Sequence, residues 1–221
     1  MIEVKNLIKS YKAGGQLIKA VDDASIHIEK GAFMSIVGHS GSGKTTLLSL
    51  MGGLTKPDSG TVVINGTDLW SISDDRLSEF RNRKINFIYQ FSSLIPTLTS
   101  LENVMLPSAF GKWGGDADAK ARELLSMVGL EDKLNSFPSQ LSGGQQRRVA
   151  IARAFVNDPE VVLADEPTGD LDEETEGEIF DLFARFNSEK GLTFVIVTHS
   201  RELAGKTGRQ VKMDHGVLMD A

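Results

Sequence analysis

Apolar positions along the 221 residues fall into two rhythms. Short unbroken runs occur at 33–37 (FMSIV), 161–164 (VVLA) and 194–197 (FVIV). Runs of that length predict strands buried on both faces of a parallel sheet. Between them lie helical spacings of i, i+3, i+4, i+7: Leu47, Leu50, Met51 and Leu54; Ala121, Leu124, Leu125 and Val128; Ile179, Leu182, Phe183 and Phe186. Strands alternating with helices predict an α/β core. The N-terminal third reads differently. IEVKNL, ASIHI and TVVI are short strand patterns, and Asn65-Gly66 is a hairpin-type turn. They predict a small antiparallel sheet flanking the parallel one. From about 98 to 156 the pattern is mainly helical, broken at Gly111, Gly114-Gly115 and Pro138. Core-type strands lie on both sides of it. The expectation is one domain over 1–221, with a core from 1–97 and 157–221 and a helical insertion at 98–156. No internal repeat is visible.

Composition changes this picture in a few places. The 22 glycines are about 10% of the chain against an average of roughly 7%. There is no Gly-X-Y period and only 6 prolines, so the excess points to backbone that must approach something closely. Zero cysteines exclude a disulfide framework, a thiol nucleophile and a Cys-ligated metal. The net charge of −6 argues against nucleic acid as a partner. The start, MIEVKNLIKSYK, has no apolar leader-type stretch. The longest uncharged run, 85–101, contains Asn86, Gln90 and Pro96 and falls short of the ~20 apolar residues of a bilayer span. A cytoplasmic chain is expected, with any membrane role supplied by a second polypeptide.

The chemistry sits in three motifs. Gly38-His39-Ser40-Gly41-Ser42-Gly43-Lys44-Thr45 matches the phosphate loop G-x-x-x-x-G-K-[ST], between the strand FMSIV and the helical stretch TTLLSLMGGL. Glycines let backbone N–H groups of Ser40, Gly41, Ser42 and Gly43 converge on a phosphate, and the helix start adds its dipole. Lys44 would reach the β- and γ-phosphates, Thr45 would ligate Mg²⁺, and Thr46 would add an α-phosphate contact. VVLA runs into Asp165-Glu166. A carboxylate at the end of a buried parallel strand faces the ligand edge, so Asp165 would hold Mg²⁺ and Glu166 would polarise an in-line water. Leu141-Ser142-Gly143-Gly144-Gln145 precedes QRRVAIARAF. Ser142 is a plausible helix cap, and the two glycines leave a helix N-terminus open to a second anion. One nucleotide does not easily need two such sites on one chain. A head-to-tail dimer, in which each copy caps the γ-phosphate held by the other, resolves this.

With LSGGQ on the page, the chain resembles the ATPase subunits of ATP-binding-cassette (ABC) transporters over essentially its whole length. The resemblance implies a P-loop core, with the glycine loop as Walker A and VVLAD as Walker B. It implies an adenine-stacking role for Tyr11. Gln90, in FIYQ, would sense Mg²⁺ and the transport subunit. Asp172, in TGDLD, would communicate across the dimer, and His199, ending FVIVTH, would contact the γ-phosphate. His27, His39 and His215 have no such placement and are read as structural or incidental. SIVGHSGSGKTTLL, SLIPTLTSLENVMLP, QLSGGQQRRVAIARA and DEPTGDLD are most similar to the group serving lipoprotein release, macrolide-type efflux and cell division. Three departures stand out: FSSLIP after Gln90, Asp170 where TGNLD is commoner, and the glycine-rich stretch around Lys112-Trp113. The implied function is an ATP hydrolase that binds ATP and Mg²⁺, dimerises with a second copy and powers a separate membrane permease. The alternative is a nucleotide-gated regulator of a membrane partner that moves no cargo. A GTPase is disfavoured, because no Asn-Lys-x-Asp motif is present.

Overall fold

The computed structural model describes residues 1–111, 114–169 and 171–220, with backbone alone for 13 and 220. The stretch around Lys112-Trp113 and the Asp170 departure therefore fall on residues outside this description.

The three apolar runs become β3 (Phe33–Val37), β7 (Val161–Asp165) and β8 (Thr193–Thr198). They lie side by side in a six-stranded sheet of order β10-β9-β3-β8-β7-β6, in which β6 is Ile85–Ile88, β9 Arg209–Asp214 and β10 Val217–Asp220. All neighbours are parallel except the edge pair β9 and β10. Strand alternation explains the unbroken apolar runs. Val162, Ala164, Phe194 and Ile196 enter one buried cluster, while Val161, Leu163, Val195 and Val197 enter another.

The second cluster is roofed by the antiparallel sheet β2-β1-β4-β5. Its strands are β1 (Ile2–Ala13), β2 (Gln16–Ile28), β4 (Ser59–Ile64) and β5 (Thr67–Asp68), with Asn65-Gly66 turning β4 into β5. The flanking sheet expected from IEVKNL, ASIHI and TVVI is present, with its first two strands longer than those patterns. Also inside this cluster is α1 (Lys44–Met51). The sequence pattern extended that helix to Leu54. It closes instead at Gly52, the chain turns at Gly53 with φ +68°, and Leu54 is exposed.

On the other face lie α3 (Ser100–Met105), α4 (Ala117–Met127), α5 (Gly143–Phe155) and α6 (Glu173–Lys190). They share a single cluster with the sheet. Phe155 of α5 stacks on Phe186 of α6 at 4.0 Å, and Phe183 meets Phe194 of β8 at 5.5 Å. Each such ring pair adds about 1 kcal/mol beyond its buried area. Residues 98–156 thus rest on the core through shared apolar contacts. Also present among the described residues are α2 (Asp74–Lys84) and α7 (Arg201–Gly205).

Candidate active site

The site forms where β3, β8, β7 and β6 end. Ligands of open parallel sheets bind at the carboxyl ends of the strands. β3 continues into the phosphate loop, β7 ends on Asp165, β8 delivers His199 and β6 delivers Gln90. One cavity of about 620 Å³ is lined by Ser40, Gly41, Gly43, Lys44, Thr45, Thr46, Gln90, Asp165, Glu166 and His199, with Ala20 of β2 closing it.

The loop is shaped by what a side chain would hit. A Cβ on Gly43 would stand 2.0 Å from the Ala20 carbonyl oxygen, and the residue has φ +105°. A Cβ on Gly38 would stand 2.2 Å from the Met213 carbonyl oxygen. The backbone is therefore pressed against β2 and β9, and its N–H groups can turn to a phosphate, that of Ser42 meanwhile donating to the His39 carbonyl at 3.2 Å. Lys44 donates to the carbonyls of Gly38 (2.8 Å) and His39 (3.0 Å), which holds its ammonium inside the loop. Ser42 differs from its neighbours. Its side chain is buried, its hydroxyl makes no hydrogen bond, and it does not line the cavity. Its contribution to phosphate would be backbone only.

Thr45 donates its hydroxyl to Asp165 Oδ1 at 3.2 Å. Burial pushes the Asp165 carboxyl above its ordinary value, and the charge of Glu166 adds to this; the Thr45 hydrogen bond and Lys44 oppose it. Two hard oxygen donors converging beside a lysine suit a small divalent cation bound together with phosphate. Next along, Glu166 has φ +45°, a left-handed backbone uncommon for a residue with a side chain. Its N–H donates to the Val197 carbonyl (2.9 Å), and its Oε2 accepts from His199 Nδ1 at 3.0 Å and His199 N at 3.3 Å. The twist turns Glu166 toward β8 while Asp165 faces Thr45.

The signature segment lies elsewhere. Ser142 caps α5, accepting from Gln145 N at 3.2 Å, and Gln145 Oε1 accepts from Ser142 N at 3.0 Å, a reciprocal capping box. No residue of Ser142–Gln145 lines the cavity. Asp172 is also outside it. It caps α6 by accepting from Thr175 N (3.0 Å) and Thr175 Oγ1 (2.9 Å), and the Thr175 backbone bond holds its carboxyl below the ordinary range. Tyr11 is half-exposed on the β1–β2 hairpin, paired with Ile18 two residues before Ala20, with Lys9 Nζ 5.6 Å from its ring centre.

Two arginines of α5 were not singled out by the sequence reading. Arg147 is buried and donates to the carbonyls of Tyr89, beside Gln90, and Gly169 (3.4 Å), behind Glu166. Arg153 donates to the carbonyls of Ser92 (2.8 Å) and Ser93 (2.9 Å). Together they tie the helix that begins with LSGGQ to the segments carrying Gln90 and Glu166. The available signal was Arg147 and Arg153, six residues apart in QRRVAIARAF, flanking an apolar stretch at 149–152.

A glycine loop between a parallel strand and a helix, with a carboxylate pair at the end of β7 across the intervening β8, defines a P-loop nucleoside triphosphatase. Within that class the chain belongs to the ABC transporter family, which it matches over residues 21–169. It is 46% identical over 217 residues to the lipoprotein-releasing system ATP-binding protein LolD of Syntrophotalea carbinolica, covering 98% of this chain and 96% of the relative. It is 43% identical over 220 residues to the LolD protein of Syntrophus aciditrophicus, covering 99% of each. Among solved structures it is similar to the ATP-binding cassette MJ0796, both in a dimeric post-hydrolysis state bound to ADP and Pi and in a second dimeric structure. Each superimposes with a TM-score of 0.92 at 42% identity, covering 100% of this chain and 98% of the other.

Proposed function

We propose that the chain hydrolyses ATP as one half of a head-to-tail homodimer and drives a separate membrane permease of the lipoprotein-releasing type. The observation that carries this is the division of the motifs: the phosphate loop, Asp165, Glu166, Gln90 and His199 share one cavity, and Ser142–Gln145 stand outside it. A second copy presenting its own Ser142, Gly143, Gly144 and Gln145 to the γ-phosphate would complete the site, with Asp172 of each copy near the junction. The dimeric cassette structures and the LolD relatives support this reading.

In this reading Gly38, Ser40, Gly41, Ser42, Gly43, Lys44 and Thr46 cradle the phosphates and Tyr11 stacks on the adenine. Thr45 and Asp165 hold Mg²⁺, with Gln90 beside them. When bound, Mg²⁺ neutralises charge on the β- and γ-phosphate oxygens. Glu166 orients a water and takes its proton as the oxygen attacks phosphorus and the bond to ADP breaks. His199 steadies Glu166 and the γ-phosphate. Residues 98–156 act as a helical subdomain that carries the signature. Tyr89, Phe91, Ile95 and Phe110 are exposed near the Gln90 segment and the end of α3, and would meet the permease at the cytoplasmic membrane face. No helix among the described residues is long and apolar enough to cross a membrane, so this contact would supply the membrane association.

Glu166→Gln tests the proposal. Turnover is expected to fall by roughly 10²-fold or more. ATP binding should persist, and an ATP-dependent dimer should accumulate in size-exclusion chromatography with light scattering. Near-normal turnover would overturn the role of Glu166, and a monomer at saturating ATP would overturn the shared site.

A further inference from the structure

Three side chains outside the nucleotide cavity converge beside the phosphate loop. His39 comes from the loop itself, and Asp214 and His215 from the β9–β10 turn 175 residues further on. The turn backbone sets the frame that presents them. His215 (φ +45°) and Gly216 (φ +83°) form the left-handed centre of the turn, and Gly216 N donates to the Ser42 carbonyl at 2.9 Å. His39 Nε2 lies 2.9 Å from Asp214 Oδ1, and His215 Nε2 lies 3.8 Å from the same oxygen. One ligand atom from each residue can be chosen so that all lie within 4.8 Å of one another. Ligands arranged tetrahedrally about 2 Å from a metal are separated by roughly 3.3 Å, so small side-chain shifts would close the set.

A second observation points the same way. His39 Nδ1 is 2.7 Å from the Ser40 carbonyl oxygen. A carbonyl and a carboxylate can only accept, so Nδ1–H donates to Ser40 and, without a metal, Nε2–H donates to Asp214; a metal ion would displace the Nε2 proton and leave the Nδ1–H bond in place. Metal-ligating histidines are held in this way, with the other ring nitrogen donating to a backbone carbonyl. Asp214 divides its oxygens: Oδ1 faces the two imidazoles, and Oδ2 lies 3.7 Å from Lys212 Nζ. The group is accessible, with side-chain exposures of 53% for His39, 32% for Asp214 and 86% for His215.

We propose that His39, Asp214 and His215 form a site for a divalent transition-metal ion of the zinc, nickel or cobalt kind, which ties the phosphate loop to the β9–β10 turn. Two imidazoles and one carboxylate suit such ions, with water filling the open positions, and they do not suit Mg²⁺, which takes oxygen ligands. The site is separate from the cation position beside Thr45 and Asp165, because none of its residues lines the nucleotide cavity.

The test is a titration of the tag-free, nucleotide-free chain with Co²⁺ alone, read by visible d–d absorption and by equilibrium dialysis. One equivalent is expected to bind. His39→Ala and His215→Asn should each weaken it at least about tenfold; asparagine keeps the left-handed backbone at 215. His27→Ala, which removes an exposed histidine paired with Glu29, should leave binding unchanged, as should Asp165→Asn. Circular dichroism checks that each variant is folded. Absence of stoichiometric binding would overturn the proposal. So would equal binding by wild type and the His39→Ala/His215→Asn double variant, or loss of the ion in Asp165→Asn, which would place it in the nucleotide site.

Discussion

At the scale of single residues, the site holds groups in states the isolated fold does not favour. Burial raises the Asp165 carboxyl above its ordinary value, so folding favours its protonated form. The penalty is absent below the unfolded value. It grows as pH rises through that value and is complete above the folded one. Asp165→Asn should therefore make the nucleotide-free chain more stable than wild type at pH 8, with a gap that closes in acid; urea midpoints at several pH values check this. Gly43 makes the opposite kind of demand. With φ +105° and the Ala20 carbonyl 2.0 Å from any Cβ, Gly43→Ala should cost about 2 kcal/mol or more, measured by urea unfolding. Residue types at fixed spacing made Lys44, Thr45 and Asp165 legible in the sequence. The left-handed backbone of Glu166 was not, because it depends on the bond to Val197 across the sheet.

At the scale of elements, α5 links the regions of the site. Its start is capped by Ser142, and Ser142→Ala should cost about 1 kcal/mol. Arg147 reaches back to the segments of Gln90 and Glu166, and Arg147→Met would leave the Tyr89 and Gly169 carbonyls short of a buried donor. A loss of about 2 kcal/mol is expected in the same unfolding assay. Ser142 could be read locally, as a cap followed by open glycines. Arg147 could not, because its partners are distant in sequence. The same contrast runs through the strands. FMSIV, VVLA and FVIV announce themselves because both faces are buried. β6 is short and opens an uncharged run with no break to mark its end, while β9 alternates exposed and buried positions, RQVKMD, on a sheet neighbour known only from the fold. The end of α1 was overrun because Leu54 continues the helical spacing after the chain has already turned at Gly53.

At the scale of the whole molecule, the separation of the motifs makes a prediction about mixtures. Lys44→Ala spoils the phosphate loop, and Ser142→Arg spoils the signature of the same chain. Each alone should be nearly inactive. In a mixed dimer one composite site keeps an intact loop and an intact signature, so turnover should rise roughly fivefold or more above either variant alone. No recovery would mean that each chain completes its own site. The cavity lacking Ser142–Gln145 has a further consequence. A chain that holds only half of its catalytic surroundings has a rate constant that depends on how crowded its neighbourhood is. Diluted, its total output should fall faster than its concentration, because pairs form with the square of that concentration. Two copies docked on one permease would meet at an effective concentration of order millimolar, whatever their abundance in the cell. The membrane partner would then act as a governor, confining ATP consumption to places where there is work to couple it to.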